Sequence, residues 1–103
     1  MTARLKVPPF SSRKWRDSAR GQNCTLRLDC CRGGTSTVVL AHLRCFGWGG
    51  MGQKPHDFQA VYACDRCHDA IDRRTGDAPW GWDDLLRALG ETLAIHYAEG
   101  RIE

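Results

Sequence analysis

No window of the 103 residues stays apolar for the roughly 20 residues that a membrane-spanning helix needs. The opening MTARLKVPPF also lacks the apolar run of a secretory leader. The six cysteines are therefore not expected to serve as an extracellular disulfide framework, and the expected compartment is a reducing cytoplasm with no membrane partner. There is no internal repeat and no linker that would separate a second domain. A single domain of this length with 42% hydrophobic residues has a small core, and some staple is expected to support it.

Acidic residues are scarce at one end. Residues 1 to 20 carry Arg4, Lys6, Arg13, Lys14, Arg16 and Arg20 against Asp17 alone, whereas the stretch from Asp83 to Glu103 is net acidic. A basic arm suits phosphate contacts, although the overall net charge of +3 is modest. Pro8-Pro9 and Ser11-Ser12 give residues 1–14 the character of a flexible arm, leaving 15–103 as the domain, with Trp15 as its first anchor. Arg16 to Gly21 reads as one helical turn stopped by glycine.

The β-branched run from Thr35 to His42 predicts a strand ending in histidine. A glycine-rich segment follows, from Cys45 through Trp48 and Lys54 to Asp57, of a length that is usually functional or mobile inside a compact domain. A second strand over about Phe58 to Ala63 is expected to pair back on the first, and a helix to run from near Cys64 to Arg74. Trp82, Leu85, Leu86, Leu89, Leu93 and Tyr97 follow helical spacing and predict a final packing helix with Gly100 as its stop.

Cys64-x-x-Cys67 at a helix start offers two ligands on one side of a tetrahedral zinc ion, and the cluster around Cys24, Cys30 and Cys31 offers the other pair. Adjacent cysteines do not readily reach one ion together, so Cys30 and Cys31 compete for the fourth position. Cys45 stands alone and reads as a free thiol. A helix turns about 100° per residue, so with Cys67 facing zinc His68 points away and is available for another task, with Asp72 one turn below it. His96 on the last helix reads as a packing residue.

The order of a cysteine pair, a strand ending in His42, a polar loop and then Cys64-x-x-Cys67-His68 resembles the treble-clef HNH (His-Me finger) nucleases. More narrowly, VLAHLR, GxKPxD and ACDRCHDAIDRRT are similar to the small prophage-encoded DUF1364 family of YbcO-type nucleases, over about Arg16 to Thr75. The resemblance implies an α+β, zinc-stapled treble clef with a ββα-metal core and an additional C-terminal helix. It implies Cys24, Cys31, Cys64 and Cys67 on structural Zn²⁺, His42 as general base, and His68 as ligand to a catalytic Mg²⁺ or similar ion. Asp57 takes the middle position, orienting His42 or helping to hold metal, with His56 a weaker candidate. Arg44, Lys54, Arg73 and Arg74 are candidates to grip flanking phosphates of DNA. Ala41 departs from the pattern, because many HNH enzymes carry an aspartate there as a metal ligand.

The expected activity is hydrolysis of phosphodiester bonds in DNA by a metal-dependent, phage- or prophage-encoded endonuclease. Two other classes are open at this point. A zinc-dependent module that binds nucleic acid without cutting keeps salt-sensitive binding and loses cleavage. A partner-binding zinc protein, docking through the final helix and Trp48, has neither.

Overall fold

The computed structural model describes residues 8–44, 55–72 and 80–102. The order of elements is α1 (Arg13–Asp17), β1 (Val39–His42), β2 (Ala60–Ala63), α2 (Asp65–Asp72) and α3 (Trp82–Ala98). The result is a small mixed α/β fold with one two-stranded sheet and a long C-terminal helix.

α1 begins where Ser12, in an extended conformation, caps the helix by accepting from the Trp15 N–H at 3.4 Å. Arg13 and Lys14, which the sequence placed in the arm, open this helix; of the helical turn expected over Arg16 to Gly21, Arg16 and Asp17 are the last helical residues and Ser18 to Gly21 form its non-helical exit. Trp15 is buried and stacks on the His96 ring of α3 at 3.9 Å between centroids. Phe10 closes over its edge at 5.1 Å and lies 5.8 Å from Phe58, so residues ahead of α1 also rest on the domain.

β1 and β2 are antiparallel, with Val39 opposite Ala63 and His42 opposite Ala60. Both strands are shorter than the β-branched runs predict, for identifiable reasons. Thr37 is drawn out of the sheet to the start of α2, where its hydroxyl accepts from the Asp65 N–H at 3.3 Å and bonds the Asp65 carboxylate at 3.1 Å. Phe58 lies in a turn closed by Gln59 N–H to His56 O at 2.9 Å.

All four β2 residues are buried. The side of β2 away from β1 is closed by polar groups. Tyr62 O accepts from Thr25 N–H at 2.8 Å and from the Thr25 hydroxyl at 3.0 Å, and Tyr62 N–H donates to the Thr92 hydroxyl at 3.2 Å. The core around this strand includes Leu26, Leu28, Leu40, Leu43, Val61, Ile71, Leu85 and Ala88.

α3 packs through Leu85, Leu89 and Leu93 as its apolar spacing predicts, but its buried face is shifted away from Trp82, Leu86 and Tyr97. Its buried positions are Leu85, Ala88, Thr92 and His96, while Trp82, Leu86 and Tyr97 are 58%, 70% and 68% exposed. Two polar residues displace apolar ones because they carry bonds the core requires: Thr92 seals β2, and His96 Nδ1 accepts from Arg101 Nε at 2.7 Å. Arg87 further ties α3 to the cysteine-bearing segment, donating to Thr25 O and Leu26 O at 2.8 and 2.7 Å. Gly100, at φ +82°, ends the helix and lets Arg101 N–H return to His96 O at 2.8 Å.

Candidate active site and metal centre

Cys24, Cys31, Cys64 and Cys67 come together with all four sulfurs within 4.8 Å of one another. A tetrahedral ion with Zn–S bonds of about 2.3 Å requires sulfurs about 3.8 Å apart. The Cys64–Cys31 separation is 3.8 Å. Gly33 and Gly34, at φ +77° and +71°, turn the chain after Cys31. The Cys64 sulfur accepts backbone N–H groups from Arg32 at 3.5 Å and Cys67 at 3.4 Å. Burial acts to raise the Cys64 pKa, but those N–H groups and the thiols of Cys67 and Cys31 outweigh it and bring it down to about 7, while burial pushes Cys67 and Cys31 up. Four converging sulfurs with N–H donors on one of them fit a metal ion such as zinc. Cys31, not Cys30, belongs to the cluster; the Cys30 sulfur lies 3.8 Å from Arg66 O. Cys45 lies outside the described residues.

The second site forms at the other end of the hairpin. His42 closes β1 with its ring partly exposed, and its Nε2 lies 2.9 Å from Oδ1 of Asp57. Asp57 is 1% exposed. Its other oxygen accepts the Ser12 N–H at 2.6 Å and Nη1 of Arg16 at 2.8 Å. Burial acts to raise the Asp57 pKa, but Ser12 N–H, His42 and the Arg16 cation together hold it below the usual carboxylate range. An ionised carboxylate can only accept a hydrogen bond, so the contact requires a proton on Nε2 and, in the neutral ring, selects the Nε2–H tautomer of His42. Nδ1 then carries the lone pair and has no hydrogen-bond partner among the described residues.

His56 does not share this pair. Its Nδ1 accepts from Phe10 N–H at 2.8 Å and its ring stacks on Phe58 at 4.8 Å. His68, half exposed on α2, lies 3.4 Å from Asp72 Oδ2 one turn on, and no hydrogen bond or ion pair among the described residues joins it to His42 or Asp57. Arg44 is exposed just beyond β1, while Lys54, Arg73 and Arg74 lie outside the described residues. Ala41 is 1% exposed and opposite Val61, so the position before His42 turns into the core by strand alternation. Ser12 and Arg16 are the site residues that sequence reasoning passed over. They lie 45 and 41 positions from Asp57, and only the surplus of cations in this region hinted at them.

A family model described as "Putative nuclease YbcO" matches residues 13–99. The protein "Putative nuclease YbcO" of Escherichia coli (strain K12) is 43% identical over 91 residues, covering 85% of this chain and 95% of that protein. A protein of the same description from Enterobacteria phage 82 matches with the same identity and coverage. A solved structure, described as "Structure of a putative bacteriophage protein from Escherichia coli str. K-12 substr. MG1655", superposes with a TM-score of 0.66 at 39% identity, covering 84% of this chain and all of that one.

Proposed function

The chain belongs to the YbcO family, and from that premise we propose that it is a metal-dependent HNH-type endonuclease that hydrolyses phosphodiester bonds in DNA. The observation that carries this reading is the bond between His42 Nε2 and buried Asp57, at 2.9 Å, which leaves Nδ1 as an available base.

In this reading His42 Nδ1 takes a proton from the attacking water, and Asp57 holds the ring and stabilises the imidazolium that forms. We assign Asp57 to His42 and not to a metal, a choice supported by the bonds that both of its oxygens already carry. His68 and Asp72 are the pair to which we assign the catalytic ion, an imidazole and a carboxylate on one helical face. Two such donors suit Mg²⁺ or a similar ion that keeps several waters and completes its shell with substrate phosphate. When bound, that ion supplies charge neutralisation on the scissile phosphate and the departing oxygen.

Arg44, Lys54, Arg73 and Arg74 are proposed to hold flanking phosphates, so cleavage falls with added salt. The cysteine quartet is proposed to carry structural Zn²⁺ in a treble clef that fixes the start of α2. No helix among the described residues is long and apolar enough to cross a membrane, and we place the activity in the cytoplasm of the bacterial host of a phage or prophage, where its DNA substrate lies.

The test is cleavage of linear double-stranded and single-stranded DNA by purified protein with Mg²⁺ or Mn²⁺. Cleavage that disappears in His42→Ala is the expected result. Equal cleavage by that variant removes His42 as the base, and no cleavage by either protein with salt-sensitive binding intact favours a binding module.

A further inference from the structure

The carboxylate that holds His42 is shared with a cation from a distant part of the chain. Asp57 gives one oxygen to His42 and the other to Arg16, whose Nη1 also donates to the Ser11 hydroxyl at 2.8 Å. A buried carboxylate beside histidine on its own favours the imidazolium, and an imidazolium is no base. A guanidinium does not lose its proton in proteins, so Arg16 sets a permanent positive charge against the same carboxylate.

Among the described residues, the other charged groups nearby do not supply that balance. His56 is bonded to the Phe10 N–H, Asp17 on α1 pairs with Arg13 at 3.5 Å, and Arg44 is exposed beyond the end of β1. Opposite His42 on β2 is Ala60. On α2, packed against β2, Asp65 is engaged by Arg32 at 2.7 Å and Asp72 lies beside His68.

We infer that Arg16 is a positioning residue of this site: by closing the Oδ2 side of Asp57 with a fixed positive charge, it offsets the pull of that carboxylate for a proton on the His42 ring and favours an open Nδ1 as the base. This rests on the nuclease reading for its purpose, while its physical content concerns only the charge state of His42. The Ser12 N–H adds a further bond to the same carboxylate oxygen as Arg16, at 2.6 Å. The segment read as a basic arm for phosphate thus also tunes the base.

The test follows the ring resonances of His42 by NMR across pH 5 to 9 in the full chain. In Arg16→Gln and Arg16→Met the midpoint of the His42 titration is expected to rise by about one pH unit, a tenfold change in proton affinity. Arg16→Lys, which restores the charge, is expected to return most of that shift. Where cleavage is measurable, the acid limb of the kcat profile moves with the midpoint and KM changes less than kcat.

A midpoint that stays in place or falls in both folded uncharged variants overturns the inference. So does a rise in KM at unchanged kcat and midpoint, which is the signature of a simple phosphate contact. If the wild-type protein cuts no DNA the nuclease reading fails, and the NMR titration still decides the role of Arg16.

Discussion

Replacing Asp57 by asparagine changes almost no volume and removes one charge, and its effect follows from counting donors. The carboxylate receives Ser12 N–H and Arg16 on Oδ2 and His42 on Oδ1. An amide has one accepting oxygen, and two of the three donors converge on the Oδ2 position. The arrangement that keeps the most bonds puts the amide oxygen there and turns the NH₂ toward His42. His42 Nε2 must then accept, its proton moves to Nδ1, and the atom proposed to take a proton from water no longer has a lone pair. A wrong-tautomer substitution of this kind lowers kcat on the order of 10⁴-fold, which is roughly 5 kcal/mol of barrier. All three bonds lose the carboxylate's charge, so about 2 kcal/mol of stability goes as well, with Arg16 discounted for its exposure. For a domain of this size that is a drop of roughly 10 °C in Tm. Single-turnover cleavage of labelled DNA with Mg²⁺ measures the first effect, and ¹⁵N chemical shifts of the His42 ring identify the tautomer. An Asp57→Asn variant that cuts within about threefold of wild type, or that keeps His42 as the Nε2–H tautomer, refutes the reasoning.

Three further outcomes are expected. Cys31→Ser lowers bound zinc below one ion per chain and reduces Tm, whereas Cys30→Ser leaves both unchanged; metal analysis of the two purified variants separates them. Thr92→Val leaves Tyr62 N–H without its partner inside the core and removes the 2.9 Å contact between the Thr25 and Thr92 hydroxyls, at a cost of about 1–3 kcal/mol, read as a lower urea midpoint at unchanged slope. Burial first, and then the Arg101 cation, depress the His96 pKa from 6.5 to about 4. The unfolded chain therefore takes up this proton at higher pH than the folded one, and stability falls as pH drops from about 6.5 to 4, by about 3 kcal/mol in full. Thermal melts at pH 7 and pH 5 should show about 2 kcal/mol of that loss in the wild type and less than half of it in His96→Phe; an equal loss in both removes His96 as the source.

The parts of the molecule that were legible in the sequence are those written in short spacings. Cys64-x-x-Cys67 and the end of the β-branched run at His42 each specify local geometry, and both reappear as a metal-ready cluster and the last residue of β1. Choosing Cys31 over Cys30 on residues alone was not possible, because the choice depends on a turn through two left-handed glycines. His96 reads as a packing residue and does pack, stacked on Trp15; the edge of the α3 face was missed at Thr92, which is buried for its hydrogen bond to β2, a requirement invisible until that strand is placed beside it. Arg16 was illegible for a further reason, since the meaning of one arginine among several cations depends on a carboxylate 41 positions away.

A two-stranded sheet ordinarily exposes a row of unpaired amides and carbonyls on each flank, a template onto which another chain can add. Here the flank of β2 is occupied at Tyr62 by Thr25 and Thr92, so an incoming strand finds its docking positions already taken. The same two threonines that fasten α3 therefore also guard a concentrated solution of this protein against strand addition along β2.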